Sequence, residues 1–286
     1  MKALRLLTLA LVLPIAADAQ TRTADPIKRG LQLTDFPRFV KLADNIYGYE
    51  EIRQPGFTTV SLVVIGRDGV LIADGQGSVA ATQTMLDRIK TLSPLPVRWY
   101  VVGSDHGDHT AGNAALPKDV VTINRANLGG DEKSIDVGGA TVRVVFLGRA
   151  HTGTDLSVHL PRERILFMSE AYLNRVFPAM RSAFPSEWVR VVDRALAMDI
   201  DRFVPGHGFV EEPRVSREEL VAFRDALVYV NAEVKRLHGL GLSVADAGAQ
   251  ANWGKYADWF LREQQAPIAI RKVYEEIEGK LPPLER

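Results

Sequence analysis

The sequence predicts a single α/β domain of mixed sheet and helices. Short apolar runs alternate with segments of helical spacing along most of the chain. No proline- or serine-rich linker, fixed-period repeat or low-complexity segment divides it. With 286 residues, 46% of them hydrophobic, it can bury a large core.

Taken in order, the chain opens with Lys2 and Arg5, followed by an apolar run over residues 6–17 broken only by Thr8 and Pro14. Ala17-Asp18-Ala19 then places small residues at the two positions a signal peptidase reads. The run is shorter than the ~20 residues a membrane-spanning helix needs. A signal peptide over residues 1–19, cleaved after Ala19, is therefore expected. The mature chain, 20–286, is expected to be periplasmic or secreted and free of the membrane. Residues 20–37 are polar and read as a loose lead-in. Strands are predicted over 60–65 and 70–73, joined by a Gly66-Arg67-Asp68-Gly69 turn. A helix follows over 78–92, with Ala80, Met85, Ile89 and Leu92 near one face. Further strands are predicted over 97–102, 120–123, 140–147, 156–160, 165–168 and 202–204, with a helix over 187–198. The core thus spans about 38–210, and a helical C-terminal part about 214–286, with helices over 216–237, 244–251 and 268–280.

Charge is balanced, 35 basic against 35 acidic residues, so nothing electrostatic points to nucleic acid; a small-molecule substrate is the expected partner. There is no cysteine, which excludes disulfides, thiolate ligands and a cysteine nucleophile. A transition-metal site must then be built from His, Asp and Glu, with six His available. A P-loop and a Gly-x-Ser-x-Gly elbow are both missing, which weighs against phosphate-cradling and serine-hydrolase chemistry.

The informative segment is Ser104-Asp105-His106-Gly107-Asp108-His109, directly after a predicted strand. Two His and an Asp in a tight loop can turn several ligands to one point, and imidazole with carboxylate is a ligand set for zinc. Further candidates sit after other strands: Asp74 after 70–73, His151 after 140–147, Glu170 after 165–168 and His207 after 202–204. Strand ends can converge on one rim of a sheet and hold ligands to the tolerance a metal requires. His159 lies within a strand and His238 at a helix end, and neither reads as a ligand.

On these residues the chain resembles the metallo-β-lactamase fold superfamily, from about residue 45 to 208. The superfamily's hallmark is His-x-His-x-Asp-His, then a third His, a carboxylate after a strand and a final His. Asp74-Gly75, Ala150-His151-Thr152-Gly153 and Pro205-Gly206-His207-Gly208 look like its other motifs. The resemblance implies a four-layered αββα sandwich with metals at one edge between the sheets. It implies that His106 and His151 serve a first metal, that Asp108, His109 and His207 serve a second, and that Glu170 stands at the bridging carboxylate. Asp74 would steady a ligand through hydrogen bonds. Two departures stand out: Ser104 replaces the first His, and Glu170 replaces an Asp. One zinc at Asp108, His109 and His207 is therefore expected, with a weaker second one possible at His106, His151 and Glu170.

The expected activity is hydrolysis of an ester, thioester, lactone or β-lactam by zinc-activated hydroxide, with Asp108 as the catalytic residue that also orients the nucleophile. His106 and His151, if metal-free, would act in proton transfer or oxyanion stabilisation. Tyr172, Asn174 and Arg175, with Phe177 and Arg181, are candidates for the substrate groove. Two alternatives stay open: a β-lactamase specifically, or a non-catalytic periplasmic metal- or ligand-binding protein on a decayed hydrolase scaffold.

Overall fold

The computed structural model describes residues 21–54 and 56–283, excluding the side chain of Gln54. The expected signal peptide lies outside the described residues.

Two sheets face each other. The first has six strands in order: β1 (Arg38–Ala43), β2 (Ile46–Gln54), β3 (Phe57–Ile65), β4 (Val70–Ala73), β5 (Val97–Val101) and β6 (Val121–Ile123). The second has five: β7 (Glu132–Asp136), β8 (Thr141–Val145), β9 (Ser157–Leu160), β10 (Ile165–Phe167) and β11 (Arg202–Val204). Pairing is antiparallel except for β4–β5–β6 and β10–β11.

The period of two assigns each face. Leu62, Val64, Leu71 and Ala73 point inward against Val144, Val158, Ile165 and Phe167 of the opposing sheet. Val63, Val70 and Ile72 point outward onto Met85, Leu86 and Ile89 of α1 (Val79–Leu92). On the other sheet, Leu166 and Phe203 point outward into a layer of α3 (Pro185–Ala197), α4 (Pro213–Gly239), α5 (Val244–Gln250) and α6 (Arg262–Ile277). Four layers, αββα, follow. The central strands read as unbroken apolar runs because both of their faces are covered. α2 (Gly107–Thr110) is a single turn after β5. No described helix is long and apolar enough to cross a membrane.

The lead-in differs from expectation. Ala24 is fully buried, Arg29 stacks over the Phe209 ring and pairs with Glu211, and Arg22 pairs with Glu218 and Glu219. The ion-pair partners of Arg29 and Arg22 lie 182 to 197 residues away in sequence, so composition alone makes the segment look loose.

Candidate metal centre

The site forms where strand ends meet. β4 and β5 run parallel and end side by side, leading to Asp74 and to the loop of Ser104 and His106. β10 and β11 do the same in the second sheet, leading to Glu170 and His207. β8 pairs antiparallel with β9, and β9 with β10, so the loop carrying His151 returns to the same rim. The α2 turn presents Asp108 and His109 in succession, anchored where Gly75 N–H donates to the His109 carbonyl (2.8 Å). Gly206 permits the close crossing beside His207. A Cβ there would lie 2.4 Å from the Ser169 carbonyl carbon, while its N–H donates to the Ser169 carbonyl at 2.7 Å.

Asp74 organises this rim from a left-handed backbone conformation (φ 62°). Its Oδ1 accepts from the Gly103 and Ser104 amides at 2.7 and 3.2 Å. Its Oδ2 accepts from the Ser169 hydroxyl and lies 3.0 Å from His109 Nδ1.

All six expected ligands come together as two groups that share Glu170: Asp108, His109, Glu170 and His207, and beside them His106, His151 and Glu170. In the first group His207 Nε2 lies 2.9 Å from Asp108 Oδ2 and 3.1 Å from Glu170 Oε1, and His109 Nε2 lies 3.4 Å from His207 Nε2. In the second, His106 Nδ1 lies 2.9 Å from Glu170 Oε2 and 3.0 Å from His151 Nε2. The Ser104 hydroxyl donates to Glu170 Oε2 at 2.5 Å and so fills the third place of that group.

The donor chemistry fits a divalent cation. His207 Nδ1 faces the Thr58 carbonyl at 2.8 Å, which can only accept, so the ring proton sits there and Nε2 turns its lone pair inward. Asp74 beside Nδ1 of His109 has the same effect. Two imidazole lone pairs and two carboxylate oxygens then crowd a buried point. Asp108 Oδ2 receives no well-aligned hydrogen bond there, although Arg53 Nη1 is only 3.1 Å away. Packing acceptors so closely is costly unless protons or a cation lie between them.

The titration shifts tell the same story. Burial works against charge throughout the site, but contacts within the cluster outweigh it. His207 is pushed up to about 10 by its Asp108 and Glu170 contacts. His109 is raised by Asp74 and Glu170. Asp108 falls under the influence of His207, and Glu170 falls well below the usual carboxylate range beside His151 and His109. His106 is raised, chiefly by its hydrogen bond to Glu170. Without metal, the cluster therefore holds protons at neutral pH where an ion would sit. Metal binding should release roughly one proton or more per ion, and affinity should rise with pH up to about 10. Calorimetry at pH 7 in buffers of different ionisation enthalpy measures this release. An affinity independent of pH with no proton release would contradict it.

The centre forms the floor of a cleft of about 660 Å³. Its walls include Arg53, Phe57, Leu173, Val176, Arg181 and Leu261. The groove expectation needs correction at three positions. Tyr172 is fully buried against Phe223. Asn174 donates to the Phe209 carbonyl (2.9 Å), and Arg175 forms a two-pronged pair with Glu219 of α4. Leu173 pairs with His207 as in a strand and faces the cleft, so its neighbours 172 and 174 face away. Arg175 is left-handed (φ 59°), and the chain turns there. Phe177 is buried under Trp253, and Arg181 lines the cleft. Sequence reasoning missed Arg53, Phe57 and Leu261, which reach the site from a hairpin and from the C-terminal part. It also missed Trp188, whose ring packs against His151 at 5.2 Å.

No protein-family model matches the chain. The 2,4-dinitroanisole O-demethylase subunit alpha of Nocardioides sp. (strain JS1661) is 23% identical over 184 residues, 57% of this chain; the chain spans 55% of that relative's length. A metallo-beta-lactamase from Pontibacter korlensis superposes with a TM-score of 0.59 at 20% identity, covering 66% of this chain and 98% of its own. The stereoselective inverting sec-alkylsulfatase Pisa1 from Pseudomonas sp. superposes with a TM-score of 0.71 at 14% identity, covering 91% of this chain and 54% of its own. The latter likeness must include helices beyond the sandwich. With both sheets, both helical layers and the His, Asp and Glu cluster at the shared edge, the chain has the metallo-β-lactamase fold.

Proposed function

We propose that the chain is an exported zinc-dependent hydrolase that cleaves a carbonyl substrate: an ester, thioester, lactone or β-lactam. One observation carries the reading. Nε2 of His109, Nε2 of His207, Oδ2 of Asp108 and Oε1 of Glu170 converge within 4.8 Å of one another at the floor of an open cleft. Imidazole and carboxylate ligands suit zinc, and these four residues would hold it. His106, His151 and Glu170 would hold a second ion more weakly, because a serine hydroxyl stands at their third place. When bound, the metal supplies hydroxide at neutral pH and polarises the substrate carbonyl.

The chain's own residues do the rest. The Thr58 carbonyl and Asp74 fix the tautomers of His207 and His109. Asp108 stays ionised and accepts a hydrogen bond from the attacking group, which orients it. In the single-metal form His106 is the proton donor to the leaving group, because its Nε2 faces Ser182 at the cleft. Phe57, Leu173 and Val176 limit water at the reacting centre. Export rests on Lys2 and Arg5, the apolar run and Ala17-Asp18-Ala19.

The test takes protein from the periplasm of an expressing bacterium, with Gln20 expected as its first residue. A panel of an aryl ester, a thioester, a lactone and a β-lactam should include at least one substrate turned over. A chelator should abolish that turnover and added zinc should restore it. Full activity after metal removal, or no turnover by zinc-loaded protein, would overturn the reading.

A further inference from the structure

Two cationic side chains beside the cleft, Arg181 and Arg271, have no ion-pair partner among the described residues. Arg181 is exposed and lines the cleft, and it also lines an adjoining depression of about 330 Å³ with Ile268, Arg271, Lys272 and Glu275. Lys272 pairs with Glu275 at 2.6 Å. Among the described residues, neither Arg181 nor Arg271 makes an ion pair. Arg181 is also fixed relative to the centre, because the next residue, Ser182, places its hydroxyl 3.4 Å from His106 Nε2.

The acidic groups of the cleft are already engaged. Asp108 and Glu170 belong to the metal centre, and their two charges match one divalent ion. Glu51 accepts a hydrogen bond from the Tyr49 hydroxyl (3.1 Å). In the adjoining depression Arg181, Arg271 and Lys272 face Glu275 alone, so it is net positive.

The cleft also carries the apolar side chains of Phe57, Leu173, Val176, Ala179 and Leu261. Leu261 precedes α6, and Gln265 and Ile268 follow on it, so this helix leads from the cleft into the depression. At 1.5 Å per residue, Leu261 to Arg271 spans about 15 Å.

We propose that the cleft selects substrates whose acyl part carries an anionic group, a carboxylate or sulfate, beyond an apolar segment, with Arg181 holding that anion and Arg271 assisting. The guanidinium fork suits such an oxyanion. The proposal rests on the hydrolase reading and names the substrate class of the same site.

The test compares two esters of zinc-loaded protein that differ only in the terminal charge: p-nitrophenyl octanoate and the mono-p-nitrophenyl ester of octanedioic acid. The wild type should prefer the charged ester. Arg181→Glu should lower the ratio of the two kcat/KM values about tenfold, mostly through KM, and Arg181→Lys should recover part of it. Arg162→Glu makes the same charge change away from the cleft and should leave the ratio as it is. A ratio unmoved by Arg181→Glu, or moved equally by Arg162→Glu, overturns the proposal. If the wild type turns over neither ester, calorimetry with octanedioate and octanoate decides separately. Tighter binding of octanedioate that is lost in Arg181→Glu supports the anion site while the hydrolase reading fails, and equal affinities overturn the site.

Discussion

Replacing Asp108 or His207 by alanine should leave the purified protein nearly free of zinc, while His159→Ala should retain it. Asp108 and His207 approach each other to 2.9 Å and contribute two of the four donors of the fuller group. Three protein ligands are the minimum for a catalytic zinc with an open position. Losing one should cost more than the ~10–100-fold in affinity that loss of an outer hydrogen-bonding partner costs. Hydrolysis should fall with the metal. His159 lies within β9, paired with Leu166 on one side and Arg143 on the other, remote from the cluster. Elemental analysis of the three variants, each first shown by circular dichroism to be folded, checks the expectation. Unchanged zinc in both Asp108→Ala and His207→Ala would show the ligand assignment to be wrong.

The second large effect is expected at Ser104. The Ser104→His variant should bind close to two zinc ions where the parent binds close to one. The serine is buried, its hydroxyl donates to Glu170 and accepts from the His106 amide at 3.3 Å, and it stands beside both imidazoles of the weaker group. An imidazole there would complete a three-histidine set and free Glu170 from the serine hydroxyl. Zinc prefers imidazole to a neutral hydroxyl, so affinity at that position should rise substantially. Calorimetric titration reads the stoichiometry directly. A parent that already binds two ions, or a variant that stays at one, would refute the idea that Ser104 weakens the second position.

The parts of the fold readable from sequence were those with local signatures. The strands at 60–65 and 70–73 show as continuous apolar runs because each is covered on both sides. Ser78 marks the start of α1 because its side chain caps the Ala81 amide. β1 and β2 carry no clear strand pattern, because they mix apolar residues with Lys41, Glu50, Glu51 and Arg53. Glu50 is buried only because Arg38 and the Val210 amide meet it, and neither partner is evident from its neighbours. β7 is mostly exposed, and its Glu-Lys-Ser-Ile-Asp sequence carries little strand signal.

The same division holds at the site. The ligands stood out because each is a His, Asp or Glu just past an apolar strand, and the sheet topology then gathers those ends on one rim. The cleft walls come from residues without such a marker. Leu261 precedes a C-terminal helix and Arg53 ends a long strand, and only tertiary packing brings them over the centre. Sequence gives no means of dividing the segment after Glu170 between groove and core. A strand-like pairing at Leu173 and a left-handed Arg175 instead divide it between the cleft and the helical layer.

Anomalous diffraction at the zinc edge, from crystals of the zinc-loaded protein, tests the central claim most directly. The account predicts a peak within bonding distance of Asp108, His109, His207 and Glu170, with a weaker one or none beside His106 and His151. Absence of a peak at the first position in zinc-replete crystals, or zinc bound only elsewhere on the chain, would contradict it.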